Sequence, residues 1–239
     1  MKKGMKLKMK VLLGVVIALL GLMISSCFVL AAPSFNISAA RMKRDINGHS
    51  VNITINGTNQ VFVADTSEIK KFIIKSRKFS NNGQKATVTA YALFNRDIAI
   101  VKTKAVLVYE YKNNKWKCTN VTLANSTLSS VKLKGTWKGI YYNQGKEVGC
   151  TLEIKSVSSD GFANGIFSFY ATPSNPKFKS GSYKITGGCS LKTGQVSFVA
   201  DGWIDKPTNY NTLDFDNSFL DLSRKRIKGN HSLSIERID

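Results

Sequence analysis

Histidine is almost missing from this chain: only His49 and His231 occur among its 239 residues. A Ser-His-Asp triad would need one of them beside an exposed serine, and there is no GxSxG elbow. HExxH, Walker A and GxGxxG patterns are absent as well, so the common zinc-protease and nucleotide signatures are missing. Cysteine is scarce. Beyond Cys27 there are Cys118, Cys150 and Cys189, so at most one intramolecular disulfide could form among them and a disulfide framework is excluded. Neither CxxC nor a Cys/His spacing suited to zinc occurs. Acidic residues number 15 against 35 Lys and Arg. Asp214, Asp216 and Ser218 begin like a calcium loop, but Phe219 stands where glycine belongs and Lys225 where the bidentate glutamate belongs. Asp201, Asp205 and Glu153 could be imagined as paired carboxylates, yet nothing fixes the separation that glycoside hydrolysis needs. No catalytic residue, metal site or cofactor is expected, and the chain reads as non-enzymatic.

Positive charge is what the chain has in excess, a formal +20. Residues 1–32 carry five lysines and no acid, residues 33–130 fifteen basic and five acidic groups, and residues 131–239 fifteen and ten. The lysine-rich head Met1–Lys10 precedes Val11–Ala32, an uncharged and mostly apolar run of 22 residues. That is the layout of a secretory signal. As a helix it would extend roughly 33 Å, enough to cross a hydrocarbon core of about 30 Å. The lysines keep the N-terminus cytoplasmic and place the chain beyond Pro33 outside. Three fates stay open: cleavage after Ala31, retention as an uncleaved anchor, or lipidation at Cys27, where Ile24-Ser25-Ser26-Cys27 resembles the lipobox of bacterial lipoproteins. Each makes the body extracytoplasmic, either secreted or anchored to the outer face of the cytoplasmic membrane.

Residues 33–125 read as a small α+β domain. Ser38 serves as an N-cap and Asn47-Gly48 as a stop for a short helix carrying Ala39, Met42 and Ile46 on one face. The period then switches to two. Val51, Ile53 and Ile55 alternate with polar residues, Asn56-Gly57 marks a hairpin turn, and Val61 and Val63 alternate again. Further strands are expected at 72–79, 85–94, 98–111 and 116–123, separated by "SNNGQ", "NRD" and "KNNK". Such short separators require antiparallel neighbours. One helix on an antiparallel sheet, ending in a hairpin with Tyr109, Tyr111 and Trp116, resembles the cystatin-like and NTF2-like domains of exported Gram-positive proteins.

"LANSTLSS" at 123–130 reads as a connector, with a linker at 126–132 before a second domain at 133–239. Strands are expected from Trp137 onward, at 163–171, 180–186, 195–200, 211–215, 219–222 and 231–238, which implies an antiparallel β-barrel or sandwich. The whole chain is thus mainly β. The opening Gly135-Thr136-Trp137, with "LEI", "FSFY", "GSY" and "GWIDKPTNY" in order, resembles a calycin or lipocalin-like barrel domain. It lacks the TDY signature of lipocalins, so the resemblance implies no lipocalin ligand.

Two basic clusters, Lys70–Phe79 and Arg224–His231, suggest attraction to anionic membrane lipids or cell-wall polymers. Nucleic acid is not expected, since no RRM, HTH or KH signature is present. The preferred reading is an exported, envelope-associated protein acting through binding surfaces. The alternative is a barrel that encloses a small apolar ligand, with Trp137, Tyr141 and Trp203 lining the cavity.

Overall fold

The computed structural model describes residues 32–239. The leader or anchor segment up to Ala31, including Cys27 and the processing alternatives, lies outside the described residues. Among the described residues no helix is long and apolar enough to cross a membrane.

Helix α1 spans Ala39–Asp45, and the Ser38 side chain accepts a hydrogen bond from the Arg41 amide at 3.2 Å, satisfying one of the orphan donors of the first turn. Met42 and Ile46 are fully buried, whereas Ala39, expected on the same face, is exposed. The hairpin β1 (Ser50–Ile55) and β2 (Thr58–Val63) turns through Asn56 and Gly57, both at positive φ (47° and 73°). A two-residue turn of that hand fixes the register as Val51 opposite Phe62 and Ile53 opposite Gln60. This corrects the expected alternation of β2. Phe62 shares the inner face with Val51 and packs edge-on against Phe94 at 5.5 Å, while Val61 and Val63 stand half or more exposed. Because side chains alternate with period two, the register alone decides which set is buried.

The next element is a four-stranded antiparallel sheet: β3 (Ile69–Ser80), β4 (Lys85–Asn95), β5 (Ala99–Lys112) and β6 (Lys115–Val131). One face is apolar but for buried Thr103, whose hydroxyl donates to the Ser126 hydroxyl at 3.0 Å. Val88, Ala90, Ala92 and Phe94 of β4 and Val101, Ala105, Leu107 and Tyr109 of β5 are completely buried. Tyr109 donates to the Asp45 carboxylate of α1 at 2.8 Å, and Trp116 donates to the Ser34 carbonyl at 2.9 Å. Phe35 packs edge-on against both rings, so the segment before α1 is seated on the sheet. Residues 126–131, part of the stretch read as a connector, complete β6 and pair with the start of β5.

Residues 135–237 close into an eight-stranded antiparallel barrel with each strand beside its sequence neighbours. The strands are β7 (Gly135–Asn143), β8 (Lys146–Val157), β9 (Phe162–Tyr170), β10 (Gly181–Cys189), β11 (Gln195–Asp205), β12 (Phe215–Asp221), β13 (Arg226–Lys228) and β14 (Ser234–Arg237). Closure comes from β14 pairing with β7, Ile235 opposite Gly139. A Cβ at Gly139 would collide with the Ser234 carbonyl, so the seam requires glycine there. Two expected elements change. The expected strand 211–215 is loop up to Leu213 and Asp214, because Tyr183 holds Leu213 by its backbone, and the stretch expected at 219–222 instead begins earlier, as the single strand Phe215–Asp221. The expected strand 231–238 becomes the shorter β14, preceded by a tight turn at 230–232, and β13 is an addition that the alternation did not suggest.

The hairpin and the barrel are joined by a side chain. The pairing of β11 with β12 ends at Gln195, and past the bond from the Leu220 amide to the Gly194 carbonyl at 3.1 Å the edge of β12 away from β13 has no strand beside it. Gln60 fills the gap: its amide nitrogen donates to the Leu220 carbonyl at 2.7 Å, and its carbonyl accepts from the Leu222 amide at 2.8 Å. A primary amide offers the same donor and acceptor as a peptide group, so it extends the ladder by one unit. Next to it the Asn56 amide donates to Thr193 at 2.6 Å.

Candidate functional sites

The outer face of the four-stranded sheet is cationic. In its register Lys71 lies opposite Leu93, Lys78 opposite Thr87, Lys102 opposite Leu93 and Lys104 opposite Tyr91, all on the face opposite the core. Lys75 occupies a bulge beside this row, and its ammonium group lies 5.8 Å from the Tyr91 ring centre, with that of Lys102 at 4.4 Å from the opposite strand. None of the five lysines forms an ion pair among the described residues. The acid nearest in the β5 pattern, Glu110, is paired with Lys112 at 2.7 Å. Between the lysines lie half-buried Ile73, Leu93, Val106 and Val108. The first basic cluster of the sequence thus supplies Lys71, Lys75 and Lys78 to a free cationic surface.

Three of the four cations of the second basic cluster lie beside carboxylates. Arg226 pairs with Asp221 at 3.1 Å, Lys228 lies 3.9 Å from the same carboxylate, and Lys225 meets Asp97 at 2.5 Å. Burial pushes the Asp221 carboxyl up, but hydrogen bonds from the Ser223 hydroxyl, the Arg226 side chain and the Arg224 amide outweigh it and hold the group below the ordinary aspartate range. By sequence both clusters are basic, with five Lys and Arg in Lys70–Phe79 and four in Arg224–His231. Carboxylates distinguish them: Asp221 lies close by in the chain, and Asp97 is brought across from the β4–β5 connection.

One mouth of the barrel carries an open cup of about 560 Å³. Three connections form its wall: the β7–β8 turn at 143–146, the segment 171–180 and the segment 206–214. Its floor is aromatic. Tyr210 stacks on Phe169 with a centroid separation of 5.9 Å, Phe178 packs edge-on against Tyr210 at 5.2 Å, and the Tyr183 hydroxyl donates to Leu213 at 2.9 Å. These contacts hold the 206–214 loop against the strands.

The three residues expected to line a ligand cavity occupy different environments. Trp137 is wholly buried, and its indole N–H donates to the Leu133 carbonyl at 2.8 Å. Trp203 packs edge-on against Tyr183 at 5.4 Å, with Lys206 over its ring at 5.8 Å, and does not line the cup. Tyr141 does line it. Its ring packs against Phe167 and Phe215, and burial raises the pKa of its phenol, which therefore stays neutral. Phe167 and Phe215 themselves meet at 4.7 Å, so aromatic side chains fill the middle of the barrel, as expected of an eight-stranded barrel of this kind.

The remaining chemical candidates are dispersed. Glu153, Asp201 and Asp205 are exposed on barrel strands, His49 precedes β1, and His231 sits in the turn before β14. Cys118, Cys150 and Cys189 are unpaired; burial pushes the thiols of Cys150 and Cys189 up to about 12. Among the described residues no three His, Cys, Asp or Glu side chains converge as a metal site would require.

Comparison of the chain with known protein families, with curated proteins and with solved structures finds no match. Function has to be argued from the surfaces themselves. The residues missed at the sequence level are those of the cup wall and of the lysine row. Asn143 reads as part of a turn, Asn211 falls in an expected strand, and Lys102 and Lys104 lie in the strand expected at 98–111. Sheet register and barrel closure bring each set together.

Proposed function

We propose that the protein is an exported, envelope-associated, non-enzymatic protein that works through binding surfaces, with the outer face of the β3–β6 sheet lying against an anionic membrane. The row of five lysines without ion-pair partners carries this reading. A lysine near a lipid surface contributes about 1 kcal/mol, so five supply up to roughly 5 kcal/mol at low salt. The apolar run at 11–32 supports the same location, because a retained or lipidated segment would hold the body beside the membrane. The dispersal of the histidines and of the exposed carboxylates supports a non-enzymatic role. The barrel is read as calycin-like, supported by the GxW opening at β7 and the neighbour-to-neighbour strand order.

Vesicle co-sedimentation tests the proposal. The chain should pellet with vesicles containing phosphatidylglycerol and not with pure phosphatidylcholine, and binding should fall as salt rises, since the screening length is about 8 Å at physiological ionic strength. Lys102→Glu with Lys104→Glu should abolish pelleting. Equal pelleting with neutral vesicles, or retention only by a purified anionic wall polymer, would overturn the membrane assignment.

A further inference from the structure

The cup at the barrel mouth has a chemistry of its own, independent of the lysine face. Five primary amides open on it, from Asn143, Gln144, Asn175, Asn209 and Asn211, and none of them makes a side-chain hydrogen bond among the described residues. Lys146 and Lys177 also line the cup, neither paired with an acid. No carboxylate lines it. At the floor, Tyr141 is 2% exposed, and its hydroxyl has no protein partner among the described residues, whereas those of Tyr183 and Tyr210 are bonded to backbone groups. The native fold holds the phenol at the cup without using its hydrogen-bonding capacity.

We infer that this cup binds an anionic sugar, a mono- or disaccharide carrying a carboxylate or phosphate. Each primary amide presents a donor and an acceptor side by side, which matches neighbouring hydroxyls that also donate and accept. Half-buried Tyr210 and Phe178 offer aromatic surface for the C–H face of a pyranose ring. The two lysines and the missing carboxylates select a negative charge and disfavour a cation. The volume lies within the roughly 300–1,000 Å³ usual for small-molecule sites. Without an acid pair at the cup, the two-carboxylate route to glycoside cleavage is not available there, so the sugar is held and not cut by that chemistry. An apolar ligand is a poorer fit, because the barrel interior beneath the cup is occupied by Phe167 and Phe215 and the wall above is amide and ammonium.

Isothermal titration of the full-length chain with glucuronate, glucose 6-phosphate and glucose tests the assignment. At least one of the two anionic sugars should bind saturably and about tenfold or more tighter than glucose; which of the two binds tighter identifies the anion. Tyr141→Phe, which removes only the unpartnered hydroxyl, should weaken binding by about tenfold, the worth of one good hydrogen bond. Lys146→Gln with Lys177→Gln should erase the preference over glucose. Lys102→Glu, on the sheet face, should leave sugar binding unchanged, which separates this site from the membrane surface. Absence of saturable binding by either anionic sugar, equal binding of glucose, or binding undiminished in the Tyr141 and lysine variants would overturn the inference.

Discussion

Removing the Gln60 amide should loosen the hairpin from the barrel, and the cost can be worked from its two bonds. Gln60→Ala deletes the bonds at 2.7 and 2.8 Å that hold the Leu220 carbonyl and the Leu222 amide. A typical intramolecular hydrogen bond contributes about 0.5–1.5 kcal/mol net, and a buried group left without a partner costs about 1–3 kcal/mol. Leu220 and Leu222 are 0% and 1% exposed, so water has poor access to the freed groups. The expected loss is about 2–4 kcal/mol by urea unfolding. In a chain of this size that corresponds to a lowering of Tm by roughly 5–15 °C. The Leu222 amide should also lose protection from hydrogen exchange. Gln60→Glu keeps an acceptor for the Leu222 amide but sets a carboxylate against the Leu220 carbonyl, so it should be at least as damaging at neutral pH. Val61→Thr, one residue away and 50% exposed, serves as the control and should stay within about 0.5 kcal/mol. A Gln60→Ala protein unfolding within about 0.5 kcal/mol of the parent, with the Leu222 amide still protected, would refute the view that this side chain serves as a ladder rung.

Asp221→Asn should destabilise by about 2 kcal/mol or more, because it leaves Arg226 partly buried without its counter-charge. In the parent, the folded-state pKa of Asp221 is depressed, so its stabilisation is present above the unfolded value near 3.9 and lost as pH falls through the folded value. Acid unfolding below about pH 4 should therefore be less steep in Asp221→Asn, measured by circular dichroism. Cys150 should resist iodoacetamide in the native protein at pH 8 and react only on denaturation, because its thiol is fully buried and ionises only near pH 12. Rapid native labelling at that site would contradict the packing. Gly139→Ala should open the β7–β14 seam, seen as loss of amide protection at Ile235 together with a fall in Tm, whereas Gly145→Ala, where the added Cβ meets nothing, should cost only the strain of its turn conformation.

Much of the fold could be read along the chain, because turns and alternation are local. Ser38 caps α1, Asn56-Gly57 makes the first hairpin turn, and Asn113 and Asn114, both at positive φ, turn β5 into β6. The apolar alternation of β4 and β5 predicts which face is buried, since a strand has only two. Where a local pattern was ambiguous, tertiary structure decided. In β2 both Phe62 and the flanking valines could have faced the core, and pairing with β1 chose Phe62. Around 211–222 apolar residues suggested two strands, and a single tyrosine hydroxyl from β10 reserved half of them for a loop.

By itself, then, the sequence determined the mainly β character, the short helix, the turns, the positive charge and the scarcity of histidine and cysteine. These depend on residue type and near spacing. Tertiary structure alone decided that Lys225 meets Asp97 while five sheet lysines are left free, and that amides from three separate connections meet around Tyr141. Charge pairing and convergence depend on distance through space, and barrel closure and strand register set those distances between residues far apart in the chain.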